Sequence, residues 1–360
     1  MKNTIPLNKL NRKHHLKTFF LVFSATMLTL ILTGLFLLYG PILFFKDTIV
    51  TTAMTTLHHQ WIATALYDQQ TINEVMSRNV VLDPNQNTNP DQITIDTRAK
   101  DNATTLPTSP SDGEHIIDGV GFTKLKGATY NGWLVKLYDP SRLYMGVSSK
   151  YGTSGEKIST MASKLGAYIG INAGGFIDVD GQGNGGKADA IFIKDGKQLS
   201  FCNDSNHNGI HSIIGLDYNN KLLVGRYSQA QLGALHLRDA VEWRPLLIVN
   251  GVPTVMEGNG GYGVQPRTVI GQTKNGAILL AIIDGRGITS STLGASVKDM
   301  QELMLEHGAI NAANLDGGAS SVLVFNNKVV NTPSSGGGER YLPNGFFINH
   351  SAGWSDTSSK

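Results

Sequence analysis

The side chains best suited to acid–base chemistry in this 360-residue chain are two aspartates, each placed where an apolar run meets glycines. Asp284-Gly285-Arg286-Gly287 follows the apolar residues 277–283, and Asn314-Leu315-Asp316-Gly317-Gly318-Ala319-Ser320-Ser321 holds the second. Glycine neighbours let a bound molecule approach the backbone. A pair of carboxylates is what hydrolysis of a glycosidic bond calls for, one aiding departure and one activating water or attacking the anomeric carbon. If the departing group is a phosphate, a strong acid is dispensable, and arginines that neutralise its charge supply much of the transition-state stabilisation. Arg267, in Gln265-Pro266-Arg267-Thr268 after the glycine-rich residues 257–263, offers the planar fork that suits phosphate. Asn172-Ala173-Gly174-Gly175-Phe176 joins an amide to two glycines, the pattern of an anion-binding nest. Alone, each piece has a plainer reading as an Asp-Gly turn, a structural salt bridge or a tight turn.

Other polar clusters give weaker signals. Asp178, Asp180, Gln182, Gly183 and Asp189 fall at positions 1, 3, 5, 6 and 12 of a calcium loop, but position 12 is Asp rather than a bidentate Glu and the flanks read as strands. A plain hairpin turn competes with calcium there, and no cofactor is otherwise required. His207 and His211 flank Asn208-Gly209 and have the intrinsic proton affinity for acid–base work near neutral pH, although loop histidines without a role are commoner. Cys202, the only cysteine, excludes an intrachain disulfide and reads as a small apolar residue.

The elements that must carry these loops are mostly strands. Residues 133–138, 143–147, 168–171, 190–193, 213–216, 246–249, 268–271, 277–283 and 321–325 are short apolar runs bounded by turn residues. After residue 113, helical spacing falls at 154–164 and 296–306, the latter stopped by Gly308. Strands outnumber helices and do not alternate with them, which predicts an α+β fold: a mixed, β-rich domain around a large sheet with a few packed helices. One transmembrane helix is expected to precede it.

That helix is the uncharged run 18–45, longer than the roughly 20 apolar residues that cross a bilayer core. Lys2, Lys9, Arg12, Lys13 and Lys17 lie before it, so the positive-inside rule predicts a cytoplasmic N-terminus and an extracytoplasmic remainder. A cleaved signal peptide is the rival reading, disfavoured by the length of the run and the want of a small-x-small site. The expected organisation is a basic tail (1–17), the anchor (18–45), a juxtamembrane stalk of one or two amphipathic helices (46–82), a flexible Pro/Asn/Thr/Ser-rich linker (83–112), one catalytic domain (113–350) and a polar tail (351–360). A net charge of +2 leaves no basic excess of the kind that nucleic-acid binding needs, so the membrane, through the N-terminal helix, is the expected macromolecular contact.

Taken in order, several pieces together resemble the phosphodiester glycosidase family: Asn172-Ala173-Gly174-Gly175-Phe176, residues 245–251, Pro266-Arg267-Thr268 to Gly271, Asp284-Gly285-Arg286, the helix ending at Gly308-Ala309, the segment 314–321 and residues 340–344. The resemblance spans roughly 115–349. It implies a hydrolase of sugar 1-phosphodiesters, with Asp284, Asp316 and Arg267 catalytic and with Asn172, Gly174, Gly175, Arg286, Gly317, Gly318, Ser320, Ser321, Arg340 and Asn344 lining the pocket. The implied partner is a glycosyl-phosphate carbohydrate or envelope polymer, and bacterial relatives with such an anchor are described as exopolysaccharide or cell-envelope proteins. The rival on the same fold is a noncatalytic module that binds or assembles an envelope polymer. Keeping two carboxylates beside an anionic ligand favours catalysis.

Overall fold

The computed structural model describes residues 7–56, 59–95, 113–178, 183–201, 209–286, 292–336 and 338–352. The chain divides into two compact units, Met1–Ser77 and Arg78–Lys360.

The first unit is helical. Helix Leu7–Tyr39 contains the stretch His15–Tyr39, long and apolar enough to cross a membrane by length and composition. The uncharged run continues to residue 45, but the helix ends at Tyr39, because Gly40-Pro41 cannot extend it: proline lacks the N–H the next turn needs. A new helix starts at Leu43 and runs to Met54, followed by Gln60–Leu66 and Gln69–Arg78. The helical pattern after residue 46 therefore resolves into three short helices. Val50, Ala53, Ala63, Tyr67, Ile72 and Val75 bury against one another and form their own small core.

Among the described residues the second unit is built from three large antiparallel sheets and one two-stranded sheet. The largest has eight strands in the order Val252–Pro253, Leu246–Val249, Ala309–Asn314, Arg267–Thr273, Ile278–Ile283, Asn131–Leu137, Val120–Lys126 and His115–Ile117. Ile278–Ile283 is buried on both faces, which is why it reads as an unbroken apolar run. A five-stranded sheet runs Lys328–Val329, Leu323–Phe325, Ile169–Asn172, Asn344–Ile348, Leu143–Val147. A second one runs Leu222–Ser228, Ile210–Asp217, Leu237–Glu242, Phe192–Lys194, Lys197–Ser200. The three sheets share one core, in which Val135 and Leu280 meet Ile171, Phe346, Ile214 and Val241. This is the mixed, β-rich α+β architecture expected.

Helix Val297–Glu306 covers the opposite face of the large sheet with Val297, Met300 and Met304. Ser296 and Asp299 form a reciprocal capping box at its start, worth about 1 kcal/mol, and Gly308 at φ +78° follows its end. Helix Ile158–Leu165 covers the first five-stranded sheet in the same manner.

The polar stretch that begins at residue 83 is not detached over its described part. Val80–Val81 pairs with Met256–Glu257, and Asn87 and Thr88 bond the backbone of Arg226 and Val224 on an edge strand. Asn and Thr side chains here satisfy a sheet edge, so a composition typical of a solvated linker serves as an edge cover. Residues 96–112 of that expected linker lie outside the described residues, as do 353–360 of the expected tail.

Candidate functional site

The site forms at one end of the large sheet, where the first five-stranded sheet packs on it. Its floor is Asn172, the last residue of strand Ile169–Asn172 and only 1% exposed. Its Nδ2 donates to the Asp316 carbonyl at 2.6 Å, while its Oδ1 accepts from Thr268 Oγ1 at 2.8 Å and from the Val322 N–H at 3.2 Å. The Asp316 N–H in turn donates to the Ala173 carbonyl at 3.0 Å. Asn172, expected to touch a ligand, thus uses its amide to hold the 316–322 loop against the two sheets.

Asp316 is the chemical centre of this loop. Burial raises its proton affinity, and this effect outweighs a hydrogen bond from Ser320, the charge of Arg340 and a bond from the Gly317 N–H, with the Asp189 charge also raising it. The carboxyl is pushed up to about 6, between the ordinary carboxylate and imidazole ranges. Arg340 lies over the Phe176 ring at 4.7 Å, and its Nη2 donates to Asp178 Oδ2 at 3.1 Å, so the guanidinium is fixed beside Asp316.

Asp284 leaves the end of strand Ile278–Ile283 next to this loop. Its Oδ1 accepts from Asn331 Nδ2 at 3.0 Å and from the Thr332 N–H at 2.8 Å, and the same Asn331 Nδ2 reaches the Ser321 carbonyl at 3.2 Å. Burial raises the Asp284 carboxyl against the pull of those two donors. Arg286, at φ +54°, turns back so that its Nη2 donates to Gln265 Oε1 at 2.9 Å. Its Nη1 is 3.9 Å from where a Cβ on Gly318 would stand, and Gly318 itself is at φ +58°. Arg286 and Arg340 therefore both border the 316–320 loop.

Several predicted residues have other work. Arg267 is 1% exposed, with Nε donating to the Ala295 carbonyl and Nη2 to those of Tyr262 and Gly263 at 2.8 and 2.7 Å. Burial first, and the Arg286 charge second, push its guanidinium down to about 9. These donors brace the 262–263 turn and the approach to the capped helix, and they are not turned to a ligand. Gly174 and Gly175 form no positive-φ nest either: the Gly174 N–H donates to Asn344 Oδ1 at 3.0 Å. Their missing side chains make room, since a Cβ on Gly174 would stand 3.1 Å from Val241 Cγ1 and one on Gly175 would run into the Trp243 ring. Gly317 is needed because a Cβ there would lie 2.8 Å from the Pro266 carbonyl oxygen. Ser321 Oγ and Asn344 Nδ2 are buried without a hydrogen-bond partner, which leaves two donors unmet beside the loop.

The calcium reading loses its first residue, because Asp178 Oδ1 accepts from the Gly183 N–H at 2.8 Å and Oδ2 is held by Arg340. Asp180 and Gln182 lie outside the described residues, Asp189 is exposed, and among the described residues no three His, Cys, Asp or Glu side chains come together as a metal site. His211 is buried on strand Ile210–Asp217, its Nδ1 3.1 Å from Glu242 Oε2, and none of its bonds reaches the Asp316 loop. His207, Cys202 and Gly287 lie outside the described residues. Sequence reasoning missed Asn331 and Thr332, which follow an apolar pair with no local mark of function, and placed Asp189 only in a metal loop.

A family profile described as phosphodiester glycosidase matches residues 165–349, a span that includes Asn172, Asp284, Asp316 and Arg340. The SPbeta prophage-derived uncharacterized protein YomE of Bacillus subtilis (strain 168) is 27% identical over 206 residues, 56% of this chain and 30% of that protein. The N-acetylglucosamine-1-phosphodiester alpha-N-acetylglucosaminidase of Bos taurus is 32% identical over 71 residues, 20% of this chain and 13% of that enzyme. The matches thus span less than a third of either relative. The zebrafish N-acetylglucosamine-1-phosphodiester alpha-N-acetylglucosaminidase catalytic domain, solved in a form auto-inhibited by its pro-peptide, shares the fold with a TM-score of 0.51 at 17% identity, over 68% of this chain and 85% of that one.

Proposed function

This chain belongs to the phosphodiester glycosidase family, and on that premise we propose that it hydrolyses the bond between a sugar's anomeric carbon and a phosphodiester oxygen. The observation that carries the reading is Asp316: a largely desolvated, part-buried carboxyl pushed up to about 6, held by Ser320 and Gly317 and bordered by Arg340. A carboxylate of raised proton affinity is a stronger base than an exposed one, and near neutral pH it is still mostly ionised. Asp316 takes a proton from water as the water oxygen attacks the anomeric carbon. The bond from that carbon to the phosphate oxygen breaks, and its electron pair stays on the phosphate. Arg340 and Arg286 neutralise the diester and the departing phosphomonoester. Asp284, with Oδ1 occupied by two donors, offers Oδ2 to a sugar hydroxyl or to the positive charge that develops on the ring.

The setting follows from the N-terminal helix. We take His15–Tyr39 as a membrane anchor with the basic tail in the cytoplasm, so that residues 78–360 act outside on a glycosyl-phosphate polymer of the cell envelope or an exopolysaccharide. The test is release of free sugar from an N-acetylglucosamine 1-phosphodiester by residues 78–360, with Asp316→Asn as control. The fragment starts at 78 because residues 80–95 pack on this unit. Sugar release lost in the variant supports the reading. Tight binding of a glycosyl-phosphate polymer with no turnover across a panel of sugar 1-phosphodiesters sinks it in favour of a binding module. Protease access to this unit only after the cell membrane is breached sinks the proposed topology.

A further inference from the structure

Beside Asp284 the large sheet carries an apolar groove of about 490 Å3 that no step above uses. Its walls include Phe122, Trp133 and Phe325, with Phe122 and Phe325 packed edge to face at 5.1 Å and Val330 37% exposed at the rim. Lys124 and His115 stand on the same walls, and Lys124 Nζ lies 5.5 Å from the Trp133 ring centroid. Among the described residues the lining holds no carboxylate. Glu114, adjacent in sequence, is turned to the Tyr138 hydroxyl at 3.0 Å, and Tyr138 does not line the groove.

The walls of the groove are tied to the candidate site through two segments of chain. Trp133 pairs in register with Ile282, two residues before Asp284, and the Asp284 N–H donates to the Asn131 carbonyl at 2.9 Å. On the other wall, Val330 directly precedes Asn331, which holds both Asp284 and Ser321. Trp133 and Val330, on the two walls, thus lie within two residues of Asn131 and Asn331, the groups that hold Asp284.

We propose that the groove is a subsite for the next sugar-phosphate unit of an anionic glycan, on the far side of Asp284 from Asp316. The chemistry fits that occupant. An aromatic face carries negative potential that attracts the weakly positive C–H face of a pyranose ring, and a lysine at its edge pairs with the phosphate joining one unit to the next. A neutral glycan has no use for Lys124 and His115, and an acidic protein segment does not call for a row of aromatic faces tied through the chain to the catalytic carboxylates. The consequence is a preference for internal or near-terminal bonds of a polymer over a single sugar phosphodiester. This inference rests on the hydrolase reading above for the identity of the substrate.

The experiment compares the full chain in detergent on two probes, the methyl phosphodiester of N-acetylglucosamine 1-phosphate and a tetramer of N-acetylglucosamine joined through 1-phosphodiester links. The readout is the ratio of the two KM values, single unit over tetramer. The parent ratio is expected to be about ten or more, the equivalent of one good added contact. Lys124→Glu and Trp133→Phe should bring the ratio toward one, Lys124→Arg should restore most of it, and Lys274→Glu, in a separate cavity, should leave it alone. A parent ratio of one, or a ratio that Lys124→Glu does not move, overturns the subsite. If neither probe is hydrolysed, titration calorimetry separates the two ideas: tetramer binding weakened about ten-fold by Lys124→Glu keeps the subsite while the hydrolase reading fails, and equal binding of a neutral glucan tetramer overturns it. A change of oligomeric state in Lys124→Glu would assign the groove to a second copy of the chain and would likewise overturn it.

Discussion

Replacing Asp316 by asparagine should abolish turnover and make the protein more stable at pH 8, a combination that follows from the cause of the carboxyl's raised proton affinity. In the folded chain, burial has lifted this group from 3.8 to about 6 in spite of Ser320, Arg340 and Gly317, so the ionised form is strained in its native place. The sign is that of a raised folded-state pKa: the neutral form's contribution to stability is fully present below the ordinary carboxylate range and is lost as pH rises through about 6. A gap of about two pH units corresponds to about 3 kcal/mol at most, and because the side chain keeps some contact with solvent the realistic effect is about 1–2 kcal/mol. Asparagine has the same shape, keeps an oxygen for the Ser320 and Gly317 donors, and carries no charge at any pH. For a unit of this size the gain is about 2–6 °C in Tm at pH 8, vanishing near pH 4, while kcat falls by about 10²–10⁴ through loss of the base. Differential scanning calorimetry of parent and Asp316→Asn at pH 4.5 and 8, with sugar release measured on the same samples, checks both halves. A variant that is less stable at pH 8, or a Tm difference that does not depend on pH, refutes the argument that a desolvated charge sits at this position.

Three further outcomes follow from the same geometry. The parent's kcat/KM should fall about ten-fold per pH unit below about 6 as Asp316 takes up its proton, and in Arg340→Ala this acid limb should move to higher pH while KM rises about ten-fold; a limb that stays in place would detach Arg340 from Asp316. Arg267→Met should take the guanidinium donors away from the carbonyls of Tyr262, Gly263 and Ala295, leaving Gln265 as the remaining donor to the first and third, and lower stability by about 3–5 kcal/mol, read as a shift in the urea midpoint, whereas intact stability with a selective loss of kcat would return Arg267 to the catalytic set. Gly175→Ala should push the Trp243 ring aside at about 1–3 kcal/mol and raise KM by displacing the neighbouring Phe176 and the arginine stacked on it; wild-type KM in this variant would show that the Phe176–Arg340 stack is not positioned by that packing.

What the sequence made legible is whatever is encoded within a few residues. Ser296 and Asp299 cap a helix from three positions apart, the buried strand Ile278–Ile283 shows as an unbroken apolar run, and Asn314-Leu315-Asp316 announces a polar loop at the end of a strand. The illegible features are those in which a side chain answers to something distant along the chain. Asn331 has no local mark of importance, yet it crosses 47 residues to hold Asp284 and so sets the distance between the two halves of the site. Arg267 looks like a phosphate ligand because guanidinium is the common phosphate ligand, but a fully buried arginine must first satisfy its own donors, and the nearest acceptors are carbonyls of a turn it thereby fixes. The pair Gly174-Gly175 shows the ambiguity at its sharpest. Two glycines after an amide are consistent with a backbone nest that bares its N–H groups and with a close approach that needs Cβ atoms absent, and only the location of Val241 and Trp243, some 67 residues away, decides between them. Residues 83–95 make the same point for composition: polar side chains that free a segment into solvent are also the ones that can replace a missing neighbour along the edge strand Leu222–Ser228. Placing the reacting carboxylate at a strand end and its supports on remote segments puts Asp316 under the control of two sheets at once, and that is why its proton affinity, and not its position in a motif, is the property by which the proposed chemistry stands or falls.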